Sequence, residues 1–412
     1  LGAAGDTPVT GDWNGDGRDD LLLRGATTWT VAVSQGHSLS AISDTQIPHD
    51  GSTSVVTTDA DGDGLQDLVT RVSGQLRLRR HKGSRPDLML TATDGFGVGA
   101  EYAYRPLADA GIYVRGTSAV YPEQDMQTAA LVVSRLAVTD GSGQGTTAAT
   151  EYSYEGLRRH LLGRGVLGFA RRTQVDTTAG RRIRTEETRR QDFPFTGLPV
   201  SLVVRQESGQ PVTASTYQWS RLDLGSGAGA RSFPYLSGAA SHQYEVGGMY
   251  NGAQTSSTVQ NIAAIDAASG LVTDETTTIT EIAGGANAGS SASLRTLHTS
   301  VLNDTTNWCL GRPQAVQITA SHTLPGGSPV TRTADLTWDA AKCRPIRQRL
   351  EPASSQWQLT YDLAYDGFGN LASRSVSGAG MITRTTTLDW GGRGQLPIVI
   401  RNPLAHSTQL SW

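Results

Sequence analysis

Lysine is almost missing from this chain. It occurs only at Lys82 and Lys342, so arginine carries nearly all of the positive charge. That bias reads first as genomic composition. Charged residues make up 18% of the 412 residues and the formal net charge is −3, which gives no bulk electrostatic drive toward nucleic acid or acidic membranes. No window of about twenty residues is apolar enough to span a bilayer. Cysteine is limited to Cys309 and Cys343. Two cysteines cannot make a structural zinc site alone, and no histidine stands at a ligand spacing from either. The eight histidines are scattered, and neither H-E-x-x-H nor G-x-S-x-G occurs, so no catalytic constellation is marked. The first five residues, Leu1-Gly2-Ala3-Ala4-Gly5, lack the methionine, basic segment and hydrophobic run of a secretion signal. The expectation is an internal segment of a longer chain.

What is abundant is glycine, at 48 residues, with serine and threonine throughout. Together with short runs of alternating apolar and polar residues, such as Leu131-Val132-Val133, Tyr152 and Tyr154, and Leu202-Val203-Val204, this predicts an all-β chain of antiparallel meanders. The length implies two or three modules.

Two stretches share one acidic pattern, D-x-[DN]-x-D-G-x-x-D. The first runs Asp12-Trp13-Asn14-Gly15-Asp16-Gly17-Arg18-Asp19-Asp20 and the second Asp59-Ala60-Asp61-Gly62-Asp63-Gly64-Leu65-Gln66-Asp67. Calcium takes six to eight hard oxygen ligands, and a tight loop can supply them from alternate positions. Side chains at the first, third, fifth and ninth places would be Asp12, Asn14, Asp16 and Asp20, then Asp59, Asp61, Asp63 and Asp67. Arg18 and Leu65 would give backbone carbonyls at the seventh. The twelfth places are Leu23 and Thr70, and the flanks read as strands, so these are not EF-hands. The alternative is a pair of acidic β-turns held by Asx hydrogen bonds. The loops are 47 residues apart, a spacing that suits one four-stranded propeller blade. In this they resemble FG-GAP (integrin-type) calcium-binding repeats.

A second periodicity lies near the other end. Trp338, Tyr365, Trp390 and Trp412 recur at intervals of 27, 25 and 22 residues. Tyr365-Asp366-Gly367-Phe368-Gly369-Asn370-Leu371 is a strand end, a tight turn and a strand start. Gly391-Gly392-Arg393-Gly394-Gln395-Leu396 echoes it, and Asp-Gly-Phe-Gly also occurs at Asp94 to Gly97. Hairpins without their own core must stack on neighbours. Asp94 to Gly97 precede the Tyr-rich stretch Tyr102-Ala103-Tyr104-Arg105-Pro106. Beyond it, in order, come Glu151-Tyr152-Ser153-Tyr154, Gly163-Arg164-Gly165-Val166-Leu167-Gly168-Phe169, Phe193-Pro194-Phe195-Thr196-Gly197-Leu198-Pro199 and Trp308-Cys309-Leu310-Gly311-Arg312-Pro313. Over most of the chain this order resembles the Rhs/YD-repeat family and the insecticidal toxin complex B subunits. The resemblance implies a β-shell of stacked hairpins around a C-terminal toxin segment, in a bacterial protein that is secreted or on the cell surface.

Two tempting sites read better as structure. Gly163 to Gly168 spells G-x-G-x-x-G, but Phe169 to Val175 reads as a strand and not as the helix that a dinucleotide site needs. Arginine pairs at 158–159, 171–172, 181–182 and 189–190 are interleaved with Asp176, Glu186, Glu187 and Asp192, which favours cross-strand ion pairs over a nucleic-acid groove. For Cys309 and Cys343, each with a tryptophan nearby, a disulfide between neighbouring strands is the favoured reading and two buried free thiols the alternative.

The sequence thus predicts two propeller-type blades with calcium loops over residues 1–85, joined by the junction His81 to Pro86 to a curved antiparallel sheet of stacked hairpins over residues 86–412. This is the N-terminal part of an incomplete Rhs-like shell. The function expected is structural and non-catalytic, with the chain's own C-terminal toxin segment or a shell-completing chain as partner. The alternative is an extracellular adhesion protein that binds a cell-surface glycan or receptor.

Overall fold

The computed structural model describes residues 5–41, 43–52, 54–82, 88–139, 147–178 and 182–412. Leu1 to Ala4, Gly83 to Pro86 of the expected junction, the boundary between residues 85 and 86, and Arg181 lie outside the described residues. The described part is built of antiparallel strands, and its one helical element is the single turn Gly227–Gly229. No helix among the described residues is long and apolar enough to cross a membrane. Contacts divide the chain into two units, residues 1–199 with 204–209, and residues 200–203 with 210–412.

The first unit opens with two small meanders. Thr7–Gly11, Asp20–Arg24, Thr28–Ala32 and Ser43–Pro48 pair in sequence order as a four-stranded sheet. Ser54–Thr58, Asp67–Val72 and Gln75–Arg79 form a three-stranded one. Four strands were expected in each. Among the described residues the second has three, and the next strand, Thr91–Thr93, pairs onward with Gly99–Pro106. Leu22, Trp29 and Leu68 are buried together, with Val9, Trp13, Val31, Ile47 and Val55 against them, so both meanders share one core. Alternation puts these residues on one face of each strand.

The rest of the first unit is a sheet in which Gly99–Pro106, Leu131–Thr139, Thr147–Glu155, Arg171–Asp176 and Ile183–Arg189 follow one another. Its core gathers Leu107, Ile112, Tyr113 and Leu157. The Tyr113 hydroxyl donates to the Met126 carbonyl at 2.5 Å and accepts from the Leu157 N–H at 3.1 Å. The glycine-rich Gly163 to Gly168 falls on a turn and the strand Gly165–Gly168, which pairs with Arg158–His160. Arg172 lies opposite Glu187 in register, 3.1 Å away, and Arg171 opposite Glu155 at 3.3 Å. The first is a cross-strand pair of the kind that the interleaved charges predicted; the second uses Glu155, which lies outside the interleaved acids.

In the second unit each strand pairs antiparallel with the next, from Pro211–Leu224 and Arg231–Tyr244 through Gln254–Ile265, Val272–Glu281, Ser291–Asp304, Cys309–His322, Val330–Asp339, Arg344–Leu350, Leu359–Tyr365, Leu371–Gly378, Arg384–Asp389 and Val399–Arg401 to Ser407–Gln409. Among its described residues the only fully buried apolar side chain is Cys309. No core holds this sheet. The backbone ladder, cross-strand pairs and turns must do so.

Several aspartates anchor those turns and pairs. Asp274 takes a forked pair of hydrogen bonds from Arg295, at 2.9 and 2.7 Å, which holds its carboxyl below 3.8. Asp266 is lowered by the Ser269 hydroxyl and the Asn303 amide, and Asp304 by the Asn307 amide and N–H groups. A depressed folded pKa gives stability that is complete above the unfolded value and lost as pH falls through the folded one. The melting temperature should therefore hold steady above about pH 5 and fall between about pH 4 and pH 2. Asp274→Asn should lower it at neutral pH and weaken this acid dependence. A melting temperature unchanged down to about pH 2 in circular dichroism would refute the account.

Candidate metal loops and edge ladder

Each acidic loop joins the first strand of its meander to the second, Gly11 pairing with Asp20 and Thr58 with Asp67. Gly15, Gly17, Gly62 and Gly64 have φ of 79°, 82°, 77° and 81°, the left-handed region that side chains disfavour. The first aspartate organises the loop. Asp12 accepts from the N–H groups of Gly15 (2.6 Å), Asp16 (3.0 Å) and Gly17 (2.9 Å). Asp59 accepts from Gly62 (2.7 Å) and Gly64 (2.8 Å).

The ninth aspartates, Asp20 and Asp67, are buried and act as clasps at matching offsets. One oxygen of Asp20 accepts from Trp13 N at 2.9 Å and the other from Ser34 N at 2.7 Å. Asp67 does the same with Ala60 N at 2.9 Å and His81 N at 2.8 Å. Each clasp ties the loop to the segment beyond the third strand. The sequence pattern pointed to these residues as metal ligands and did not reveal this second task.

The loops differ in what they could offer a cation. Asp59, Asp61 and Asp67 each place a carboxylate oxygen within 4.8 Å of the others, which suits a hard cation. Asp63 stands outside that group, and its carboxylate caps Leu65 N at 2.8 Å. In the first loop the third place is the amide of Asn14, whose Nδ2 donates to Asp16 at 3.1 Å. Arg18 also approaches Asp16, at 3.6 Å. At the seventh places, the Arg18 side chain turns to Asp16 and that of Leu65 is buried.

The second cluster is a ladder along the turns of the second unit. Trp338 Nε1 donates to the Pro313 carbonyl at 2.8 Å, the Tyr365 hydroxyl to that of Pro345 at 2.8 Å, Trp390 Nε1 to that of Leu371 at 2.9 Å, and Trp412 Nε1 to that of Pro397 at 2.8 Å. The aromatic rhythm in the sequence marks donors. Their acceptors were missed. The available signal is the dipeptides Arg312-Pro313, Arg344-Pro345, Asn370-Leu371 and Leu396-Pro397, one ahead of each aromatic. Arg312 also lies over the Trp338 ring and Arg344 over the Tyr365 ring.

Neighbouring turns are linked as well. Asp366 accepts from the N–H groups of Phe368, Gly369 and Asn370 at 2.9, 2.7 and 2.8 Å. Burial opposes its ionisation, but these bonds outweigh it and hold the carboxyl below its usual value. Asn370 Nδ2 then donates to the Gly394 carbonyl at 2.7 Å. Phe368 covers Gly394, where an added Cβ would lie 2.5 Å from the ring. Asp94 caps the N–H groups of Phe96 and Val98 in the same way, both at 2.9 Å. Cys309 and Cys343 are joined by a disulfide, and Arg312 Nε donates to Cys343 Sγ at 3.2 Å.

With this geometry in view, comparisons with known proteins point one way. A family model described as the insecticide toxin TcdB middle/N-terminal region matches residues 40–197. No curated protein matches the sequence. The fold is similar to a chain in the crystal structure of TcdB2-TccC3-TEV, with a TM-score of 0.66 and 10% identity, covering 98% of this chain and 28% of that one. The TcdB2-TccC3-Cdc42 crystal structure gives the same values. The Photorhabdus luminescens Tc holotoxin pore, carrying a TccC3 mutation, gives 0.65 at 11% identity with the same coverage. At such identity the likeness concerns the fold, and this chain spans under a third of those chains.

The geometry of the loops and the ladder can be tested separately. Calcium calorimetry should find the tighter site in the second loop, abolished by Asp61→Ala. Asp20→Ala and Asp67→Ala should each lower stability by about 3 kcal/mol even in chelator, because buried N–H groups lose their acceptors. Equal affinities in both loops, or full stability of the clasp variants in chelator, would contradict this. For the ladder, Trp390→Phe should cost about 1 kcal/mol. Replacing both cysteines by serine should cost roughly 2–4 kcal/mol. Free thiols in unreduced, denatured protein would remove the disulfide from the account.

Proposed function

We propose that this chain is a non-catalytic, structural part of a secreted toxin-complex-B-like protein of the Rhs/YD-repeat type. On this reading residues 1–85 are FG-GAP-like propeller blades, each with a loop that holds calcium. Residues 86–412 begin a β-shell that encloses and helps deliver a toxin segment, supplied by the same polypeptide or by a shell-completing partner chain. The observation that carries the proposal is the second unit. It is a long antiparallel meander without a core of its own among the described residues, locked along its turns, in a chain whose fold as a whole is similar to chains of TcdB2-TccC3 complexes over 98% of its length.

The proposed mechanism is mechanical. A sheet that pairs every strand leaves few backbone edges open to other chains, and a wall locked at its turns can keep a labile polypeptide away from proteases. Calcium would neutralise carboxylates crowded into each loop and stiffen the blades.

Limited proteolysis of the complete protein with its partner should leave the toxin segment intact at a protease dose that digests the free segment. Trp338→Ala combined with Trp390→Ala should open that protection. Equal digestion of enclosed and free segment would end the containment reading, and saturable binding on a glycan array would favour an adhesion protein.

A further inference from the structure

Between the two small meanders of the first unit lies a cavity of about 370 Å³. Leu22, Val31, Val33, Ile47, Leu68 and Trp13 give it apolar lining, and Thr45 and Gln66 add neutral polar groups. The rest of the lining is basic. Arg79, Arg80, His81 and Lys82, four consecutive residues leaving the third strand of the second meander, all line it, and among the described residues no aspartate or glutamate does. Arg80 and Lys82 are exposed at its rim.

A second observation falls on the same place. Eight buried side-chain nitrogen or oxygen atoms among the described residues lack a hydrogen-bond partner. Four belong to residues lining this cavity: Trp13 Nε1, Gln66 Oε1, Arg79 Nε and His81 Nδ1. Buried polar atoms are nearly always paired, so a cluster of orphans asks for a missing partner. The four atoms are themselves buried, so their side chains would rotate on binding to present them to a ligand. Gln66 and Trp13 both pack against Gly11, where a side chain would collide with Gln66.

We propose that this cavity binds a small organic anion, a carboxylate on an apolar body. Apolar walls with a few convergent polar groups are the usual make-up of ligand sites, and this volume lies near the lower end of their range. It suits one aromatic or branched acid. The carboxylate would accept from Arg79 Nε and Trp13 Nε1, with Lys82 adding charge at the mouth. Gln66 Oε1 would accept from a donor on the ligand. Arg79 is partly compensated by Asp50, at 3.2 Å, and Arg80 by Asp61, at 3.7 Å. The backbone N–H of His81 is held by Asp67 at 2.8 Å. The basic wall is thereby anchored to the second acidic loop. The inference does not depend on the containment reading, since it concerns only the first unit.

The test is calorimetric titration of the 412-residue chain with 3-phenylpropanoate and with its uncharged amide. The acid should bind saturably at one site, and the amide at least about tenfold more weakly. Trp13→Phe, which removes the indole N–H and keeps a ring, and Lys82→Gln should each weaken acid binding by about tenfold. Val33→Phe should fill the cavity and abolish binding. No saturable binding up to about 10 mM, equal affinity for acid and amide, or undiminished binding by Val33→Phe would overturn the proposal. Should Val33→Phe fail to fold, Lys82→Gln at the exposed rim decides, and unchanged affinity there also overturns it.

Discussion

A sheet with almost no buried apolar side chains has to be held in register by something other than a core. In the second unit that task falls to the turns. A one-residue slip in a strand moves every side chain to the opposite face, and a large core normally penalises such a slip. From the strand Cys309–His322 onward, the aromatic donors supply part of that penalty. Trp338, Tyr365, Trp390 and Trp412 each reach a backbone carbonyl across an intervening turn, and a slipped register would leave both partners unmet. The disulfide between Cys309 and Cys343 ties two neighbouring turns in the same region, next to the first rung at Trp338 and Pro313. It adds a covalent link where the long strands give way to shorter ones.

The first unit solves a different problem with a repeated device. Its two meanders are short and bury little individually, so Leu22, Trp29 and Leu68 must come together from both. Within each meander the loop is tied to the strands. The clasp made by Asp20 and Asp67 fixes the start of each loop and the chain beyond the third strand with one buried carboxylate. A buried carboxylate is costly unless N–H groups satisfy it, and here they do. In the second loop the same residue, Asp67, also places a carboxylate oxygen within 4.8 Å of those of Asp59 and Asp61. This is why the metal-like pattern alone could not separate the two roles.

Much of this was legible because it rests on local chemistry. Glycine at places that need positive φ, aspartate at turn starts and alternating short runs gave the all-β class, the position of both loops and the turn at Asp366. The aromatic rhythm marked the donors. What stayed hidden was non-local. Nothing near Trp390 says that its partner is the carbonyl of Leu371, because a carbonyl is present at every residue and only the register selects one. The three-stranded second meander was missed for a similar reason. The spacing of 47 residues counts residues, whereas Thr91–Thr93 is drawn away by pairing with Gly99–Pro106. The basic cavity wall was seen in sequence only as a junction, since its apolar half comes from the other meander.

The composition of the second unit also bears on how its sheet is held together. Cross-strand hydroxyl pairs recur on its strands, Ser215 with Ser241, Thr278 with Ser293, Thr319 with Thr331 and Ser375 with Thr385, at 3.1, 2.8, 3.0 and 2.8 Å. Each pair satisfies its own hydrogen bond without an outside partner. A sheet built this way gains order from within. Large apolar side chains share the same strands and stand exposed, Val259, Ile279, Leu294 and Ile318 among them, so the faces are mixed and their exposed apolar groups add little to stability. The stronger side-chain bonds are the charge-assisted pairs set into the strands, Asp274 with Arg295 and Asp335 with Arg349, and with the locks at the turns they fix the register that a core would otherwise fix.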